Sequence, residues 1–364
     1  MSRMTYPLSD HFDGTLFFNP EPTIRRANGR KFGLASIIRA RWKRDPSVWS
    51  TWPSHIENAA YPPPEQKIAE GSVGVTFIGH STFLLRLPGL NVLTDPIFSK
   101  RCSPVKFAGP ARVRAPGLAL TDLPKIDLVL LSHNHYDHCD LASLRQLRRR
   151  FPQMRIVTSL GNAAYLATKR IKGAVELDWW QAHDAAGTRI TAVPARHFAA
   201  RALSDRNKTL WVGFVLEHGG AKLYFAGDTG YTKFFKEIAE RLGPPDLALL
   251  PIGAYEPRWF MGPVHMNPED AVKAFTDLGA RRAIGMHFGT FQLTAEAIDA
   301  PLQDLESAKQ AGNIAPDAFT TLDCGETEIL TFELATSSQT AGPRHPPAPA
   351  EYTHGHPADG PPPP

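Results

Sequence analysis

The chain has 364 residues, 42% of them apolar, and a formal net charge of +4 at pH 7. That length allows about two domains with a sizeable core, and the charge is too mild to point to any class of partner. No stretch approaches the roughly 20 apolar residues of a membrane-spanning helix, Met1–Pro7 lacks the apolar centre of a secretory signal, and the three cysteines, Cys102, Cys139 and Cys324, have no C-x-x-C spacing. Reduced thiols in a cytoplasmic setting are therefore expected.

Residues 1–70 are rich in proline, aromatic residues and charge. Between Glu21 and Ser50 eight basic residues (Arg25, Arg26, Arg30, Lys31, Arg39, Arg41, Lys43 and Arg44) face only Glu21 and Asp45. Leu34, Ile37, Ile38 and Trp42 fall at helical spacing in that window. A short basic amphipathic helix follows, with two readings: it packs on the main domain, or it lies on an anionic membrane surface. Nucleic-acid binding is not expected, because no recognised module accompanies the charge.

From Val75 short strands take over: Val75–Gly79, Phe83–Leu87 and Asn91–Thr94, with a turn at Pro88-Gly89. His80 lies between the first two, either as a metal-capable side chain or as a structural one. Asp95 follows the third, placed either to orient histidines nearby, as carboxylates behind metal ligands do, or to cap the turn before Pro96. Ile126–Leu131 reads as a buried strand and Leu141–Arg150 as a helix. Between them His133, His135, Asp137 and His138 pack four metal-capable side chains into six positions. Imidazole and carboxylate together suit zinc or a similar first-row metal. His133 and His135 can turn to one ion while Asp137 and His138 turn to a second. Cys139 stands outside the H-x-H-x-D-H pattern and reads as a packed thiol.

Further strands are expected at Arg155–Thr158, Val175–Trp179 and Arg189–Val193, with a helix over Asn162–Lys169. Trp211–Leu216 and Lys222–Phe225 make a hairpin whose loop is Glu217–Ala221, and the second strand delivers Asp228 on a glycine-flanked turn. Phe234, Phe235, Ile238 and Leu242 form one face of a helix, followed by a buried strand at Asp246–Ile252. Asn267-Pro268-Glu269-Asp270 is a helix start, with Asn as cap, Pro in the first turn and acids behind it. Arg282–Met286 reads as a strand ending at His287, Asp304–Gly312 as a helix and Glu328–Phe332 as the last strand. Tyr255, Trp259, Phe260 and Met261 sit on an expected loop, either as the lining of an acyl groove or as core. Beyond Thr336 the composition cannot support a packed core, and His345, His354 and His356 are assigned no catalytic part. The domains are thus an N-terminal extension (1–70), a catalytic domain (71–335) and a Pro-rich tail (336–364). The alternation of strands and helices predicts two mixed sheets faced by helices.

The residues at strand ends, in this order, resemble the metallo-β-lactamase-fold hydrolases. The blocks Leu93–Ser99, Ser132–His138, Glu176–Trp180, Phe225–Tyr231 and Pro251–Met261 resemble, more narrowly, the N-acyl-phosphatidylethanolamine-hydrolysing phospholipase D family. The resemblance implies an α/β fold of the αβ/βα four-layer sandwich type and two Zn²⁺ per chain. His133, His135 and His197 would hold the first ion, Asp137, His138 and His287 the second, with Asp228 bridging. It also implies that Tyr136 and His265 contact the substrate headgroup, and that a phospholipid is cleaved to an N-acylethanolamine and phosphatidic acid by hydroxide attack. In that mechanism Asp137 orients the attacking group and His265 donates a hydrogen bond or proton. Membrane contact at the periphery and a homodimer are compatible with this reading. The alternative on the same ligands is a hydrolase of a lactone, β-lactam or other small substrate. A binding protein with a degenerate site is disfavoured by the full set of seven ligands.

Overall fold

The computed structural model describes residues 6–21, 49–64, 67–202 and 204–332. The basic segment around Leu34–Trp42 and the Pro-rich tail lie outside the described residues. Within them, fourteen strands and six helices are present. The first sheet runs in the order β14-β1-β2-β3-β4-β5-β6, made of β1 (Ser72–Gly79), β2 (Thr82–Leu87), β3 (Leu90–Thr94), β4 (Leu128–Leu131), β5 (Arg155–Ser159), β6 (Ala174–Leu177) and β14 (Thr327–Thr331). The second runs β13-β12-β11-β10-β9-β8-β7, made of β7 (Ala182–Ala185), β8 (Thr188–Pro194), β9 (Val212–His218), β10 (Ala221–Phe225), β11 (Leu247–Pro251), β12 (Arg282–Met286) and β13 (Phe319–Thr320). The helices are α1 (Leu141–Arg150), α2 (Asn162–Thr168), α3 (Phe234–Leu242), α4 (Arg258–Met261), α5 (Pro268–Leu278) and α6 (Ala300–Ala311).

The layering follows from side-chain alternation along the strands. In β4, Leu128 and Leu130 enter the core between the sheets, while Val129 and Leu131 face Leu144 and Leu147 of α1 and Leu166 of α2. On the far side Phe234, Phe235 and Ile238 of α3 and Val272, Phe275 and Leu278 of α5 join the main core. The result is helix, sheet, sheet, helix: two mixed sheets flanked by helices, as expected. The N-terminal residues contribute to it, since Phe12 and Phe17 are buried in the main core. No helix among the described residues is long and apolar enough to cross a membrane.

Several local expectations need correction, beginning with β13, which was not expected, and β6, which ends at Leu177 rather than Trp179. The hairpin loop between β9 and β10 is only Gly219-Gly220, both at positive φ, with His218 paired to Ala221; a two-residue loop of that conformation suits the strand twist, so Glu217 and Ala221 stay in the ladder. β7 was not expected, because Ala-His-Asp-Ala has no apolar alternation; it forms by pairing with β8 across Ala186-Gly187. α6 starts at Ala300 rather than Asp304, with Pro301 in its first turn. Arg258–Met261, expected as loop, is a one-turn helix in which Phe260 and Met261 donate to the carbonyl of Pro257.

Both sheets send strand ends to one edge. β3, β4 and β5 are parallel in the first sheet, and β10, β11 and β12 in the second. The loops that follow β4, β10 and β12 carry His133–His138, Asp228 and His287, so the topology gathers residues up to 154 positions apart in sequence.

Candidate metal centre

The metal-capable side chains form two adjoining clusters, His133–His135–His197–Asp228 and His80–Asp137–His138–His287, all but His135 and Asp137 fully buried. In the first, Nδ1 of His135 lies 2.8 Å from Nε2 of His133 and 3.2 Å from Nε2 of His197. In the second, Oδ2 of Asp137 lies 3.4 Å from Nε2 of His138 and 3.5 Å from Nε2 of His287. Asp228 touches both: its Oδ2 is 3.0 Å from His138, 3.2 Å from His287, 3.7 Å from His197 and 4.0 Å from His133. The structure thus brings together the seven residues singled out in the sequence; His80 joins the second cluster, and Asp228, His265 and His287 form a further group close enough to share an ion.

Local sequence explains how this arrangement is held. Gly227 has φ +59, and a Cβ there would fall 2.7 Å from the Cβ of Ser132 and 2.9 Å from the carbonyl of Val212. Only glycine lets the Asp228 turn approach the metal loop this closely. The loop itself hangs on Asp95: Oδ1 accepts from the Ser132 amide at 2.7 Å, and Oδ2 accepts from the Ser132 hydroxyl at 2.6 Å and from Nδ1 of His138 at 2.7 Å. The Ser132 oxygen lies 2.9 Å from Nδ1 of His133, and the carbonyl of Val264 is 3.0 Å from Nδ1 of His197. A carboxylate or carbonyl accepts only, so His138 and His197 each donate from Nδ1 and turn their Nε2 atoms inward. Asp95 therefore orients the histidines, the first of its two sequence readings. His80 sits behind Asp137, its Nε2 3.0 Å from Oδ2, while its carbonyl accepts from the His287 amide at 2.8 Å.

The electrostatics identify what the donor set requires. Burial, with the neighbouring imidazoles, holds His133 well below its usual range, and burial pushes His135 down to about 4. Asp137 and Asp228 stay well below the carboxylate range, because the adjacent imidazoles outweigh the cost of burying them. Against that same burial cost, the carboxylates of Asp228, Asp137 and Asp95 raise His138 well above its usual value, and Asp228 and Asp137 raise His287 to about 9. Two buried carboxylates thus draw positive charge into the middle of the cluster. Oδ1 of Asp228 and the Nε2 atoms of His138 and His287 are buried without a hydrogen-bond partner. Inward-facing imidazole nitrogens, shared carboxylate oxygens and unpaired buried donor atoms fit divalent cations.

The other predicted residues fall around this centre. His265 is buried beside it, its ring 5.0 Å from that of His197 and 5.3 Å from that of His287, and burial pushes its pKa to about 4. The Tyr136 hydroxyl donates to the carbonyl of Arg201 at 3.1 Å; toward any substrate its oxygen can only accept. Cys139 is fully buried and belongs to neither cluster. The aromatic block divides: Tyr255 is buried and donates to Asp304 at 2.5 Å, whereas Trp259 on α4 is 53% exposed. Two participants had no sequence signal. Nη1 of Arg201 reaches three carbonyls of the metal loop, those of Asn134, His135 and Cys139, at 2.7, 3.3 and 2.8 Å. Asn19, 178 residues from His197 in sequence, donates to its carbonyl at 2.8 Å.

Comparison with known proteins agrees with this geometry. A family profile described as "Beta-lactamase superfamily domain" matches residues 90–288. N-acyl-phosphatidylethanolamine-hydrolyzing phospholipase D 1 of Caenorhabditis elegans is 38% identical over 270 residues, covering 71% of this chain and 76% of that protein. The mitochondrial enzyme of the same name from Saccharomyces cerevisiae is 38% identical over 262 residues, covering 70% of this chain and 55% of the yeast protein. Among solved structures, a metallo hydrolase of the archaeon Ignicoccus hospitalis superposes with a TM-score of 0.55 at 25% identity, over 72% of this chain and all of the archaeal one. Fold, donor clusters and relatives converge: the chain belongs to the beta-lactamase superfamily and is one of its metal-dependent hydrolases.

Proposed function

We propose that the chain is a phosphodiesterase of phospholipase D type that holds two Zn²⁺ and cleaves N-acyl-phosphatidylethanolamine-like lipids. The observation that carries the two-ion reading is the position of Asp228: one carboxylate oxygen lies within 4.0 Å of imidazole nitrogens from both clusters. His133, His135 and His197 would hold one ion, Asp137, His138 and His287 the other, and Asp228 would serve both. When bound, such ions activate water at neutral pH and neutralise charge on phosphate. The similarity to the nematode and yeast enzymes supports the lipid substrate.

The chain's own residues supply the rest. Asp137 remains ionised and is steadied by His80, so it can accept a hydrogen bond from the attacking water and orient it. Water oxygen bonds to phosphorus, and the bond from phosphorus to the N-acylethanolamine oxygen breaks. The proton lost by the water passes to the leaving oxygen, giving N-acylethanolamine and phosphatidic acid. His265 is neutral at pH 7, since its pKa is about 4, and its role is that of a hydrogen-bond donor to the phosphate or the leaving oxygen. The substrate places the enzyme at a lipid surface.

The test uses zinc-loaded protein on vesicles containing N-acyl-phosphatidylethanolamine, beside Asp228→Asn, with products identified by mass and metal content measured on both proteins. Release of N-acylethanolamine by the wild type, lost in the variant together with bound metal, is expected. A wild type that leaves the lipid intact but opens a lactone or β-lactam would remove the lipid reading and keep the metal centre.

A further inference from the structure

The loop after His197 carries a cation with no assigned task. Arg206 is partly exposed, and its guanidinium carbon sits 4.3 Å above the centre of the Phe198 ring. That ring in turn packs edge-on against His135 at 4.6 Å and lies 4.9 Å from His197. One aromatic ring therefore separates the guanidinium from two residues of the metal centre. Among the described residues Arg206 has no hydrogen bond and no ion pair. Its sequence neighbour Asp205 does not neutralise it: Oδ1 of Asp205 accepts instead from the amides of Arg201 and Ala202, at 2.9 and 2.8 Å.

The loop that presents it is tied in place. Asn207 donates its amide to the carbonyl of Ala199 at 2.7 Å, and its own carbonyl accepts from Phe17 at 2.8 Å. The arginine thus extends from a hydrogen-bonded turn rather than from a free end. Partial burial lowers its pKa, and its charge is one of those that act on His135. A guanidinium that is partly desolvated, stacked and without a counter-ion, beside a metal centre, has the properties of an anion-binding group. Five N–H donors in a planar fork match two oxygens of a tetrahedral phosphate.

We propose that Arg206 binds the phosphate group of the substrate at the mouth of the metal centre. This rests on the phosphodiesterase reading. The phosphate of the lipid diester, that of the released monoester and free inorganic phosphate share the chemistry it recognises. Arg206 sets affinity for the phosphate and takes no proton, so its loss acts on binding and leaves the chemical step alone.

The test compares zinc-loaded wild type, Arg206→Gln and Arg206→Lys. Binding of inorganic phosphate is measured by calorimetry, and kcat and KM are measured on a soluble diester, bis(p-nitrophenyl) phosphate, and on the lipid in vesicles. Arg206→Gln should weaken phosphate binding about tenfold, or ~1.4 kcal/mol, and raise both KM values by a similar factor with kcat changed by less than about twofold. Arg206→Lys, which keeps the charge but not the fork, should fall between. Equal phosphate affinity in wild type and Arg206→Gln overturns the proposal. So does a rise in KM confined to vesicles, which would make Arg206 a contact with the anionic bilayer surface. If the wild type hydrolyses neither diester, the phosphodiesterase reading fails, while the phosphate titration still decides the role of Arg206.

Discussion

Removing the Arg201 guanidinium tests whether the metal loop is held from outside. A single nitrogen of Arg201 serves the carbonyls of Asn134 and Cys139 at 2.7 and 2.8 Å, with that of His135 more distant at 3.3 Å. Two short charge-assisted bonds contribute about 1.5–3 kcal/mol each. The guanidinium carbon lies 3.9 Å from the centre of the Tyr136 ring, a contact that adds about 0.5–2 kcal/mol. Arg201→Met therefore removes roughly 3.5–8 kcal/mol of restraint from the loop. Not all of that reaches the metal, because the loop keeps its anchor on Asp95 and its internal bonds from the His138 and Cys139 amides to the His135 carbonyl. A weakening of metal affinity by about 10- to 100-fold is expected, equivalent to ~1.4–2.7 kcal/mol. Arg201→Lys should be intermediate, since an ammonium reaches one or two of the carbonyls but does not stack on Tyr136 in the same way. Competition with a chromophoric chelator gives the metal affinity of the three proteins, and thermal unfolding of the metal-free forms separates loss of loop order from loss of fold. An Arg201→Met protein that unfolds like the wild type and binds metal as tightly would refute the reasoning.

Asp95→Asn retains shape but leaves one acceptor oxygen for three donors, the Ser132 amide, the Ser132 hydroxyl and Nδ1–H of His138; metal affinity should fall about 10–100-fold, most at the Asp137–His138–His287 cluster, as read by metal content during dialysis against a graded chelator. His11 links pH to the docking of the N-terminal segment: its Nδ1 and Nε2 lie 2.6 Å from Asp10 and 2.7 Å from Asp178, and its ring stacks on Trp179 at 4.1 Å. Burial opposes the charged ring, but the hydrogen bonds and charges of Asp178 and Asp10 prevail and raise its pKa. A pKa raised in the folded state stabilises fully below the unfolded value of about 6.5, and that contribution is lost as pH rises through the folded value. The stability gap between wild type and His11→Phe, which keeps the stack, should therefore be larger at pH 5.5 than at pH 8.5 in urea unfolding; a gap independent of pH would remove His11 from the account.

What the sequence displays and what it conceals divide along a physical line. His133, His135, Asp137 and His138 were legible because one six-residue loop carries them all, and imidazole and carboxylate have no equally good reason to crowd there. Asp228 and His287 were legible because each directly follows a run of buried strand residues, and parallel strands deliver their C-terminal ends to one edge. Asn267-Pro268 announced a helix because capping is local, and Asn267 does accept from the Asp270 amide at 3.0 Å. β7 and α4 were missed because four residues are too few for a period to show. Two groups that steady the centre were missed for a different reason. Arg201 and Asn19 act through backbone carbonyls. Every residue carries a carbonyl, so a side chain aimed at one leaves no complementary mark elsewhere in the chain. The ligands of such a centre are written into the sequence as a motif, whereas the scaffold that aims them exists only once the chain has folded and brought Asn19 to His197.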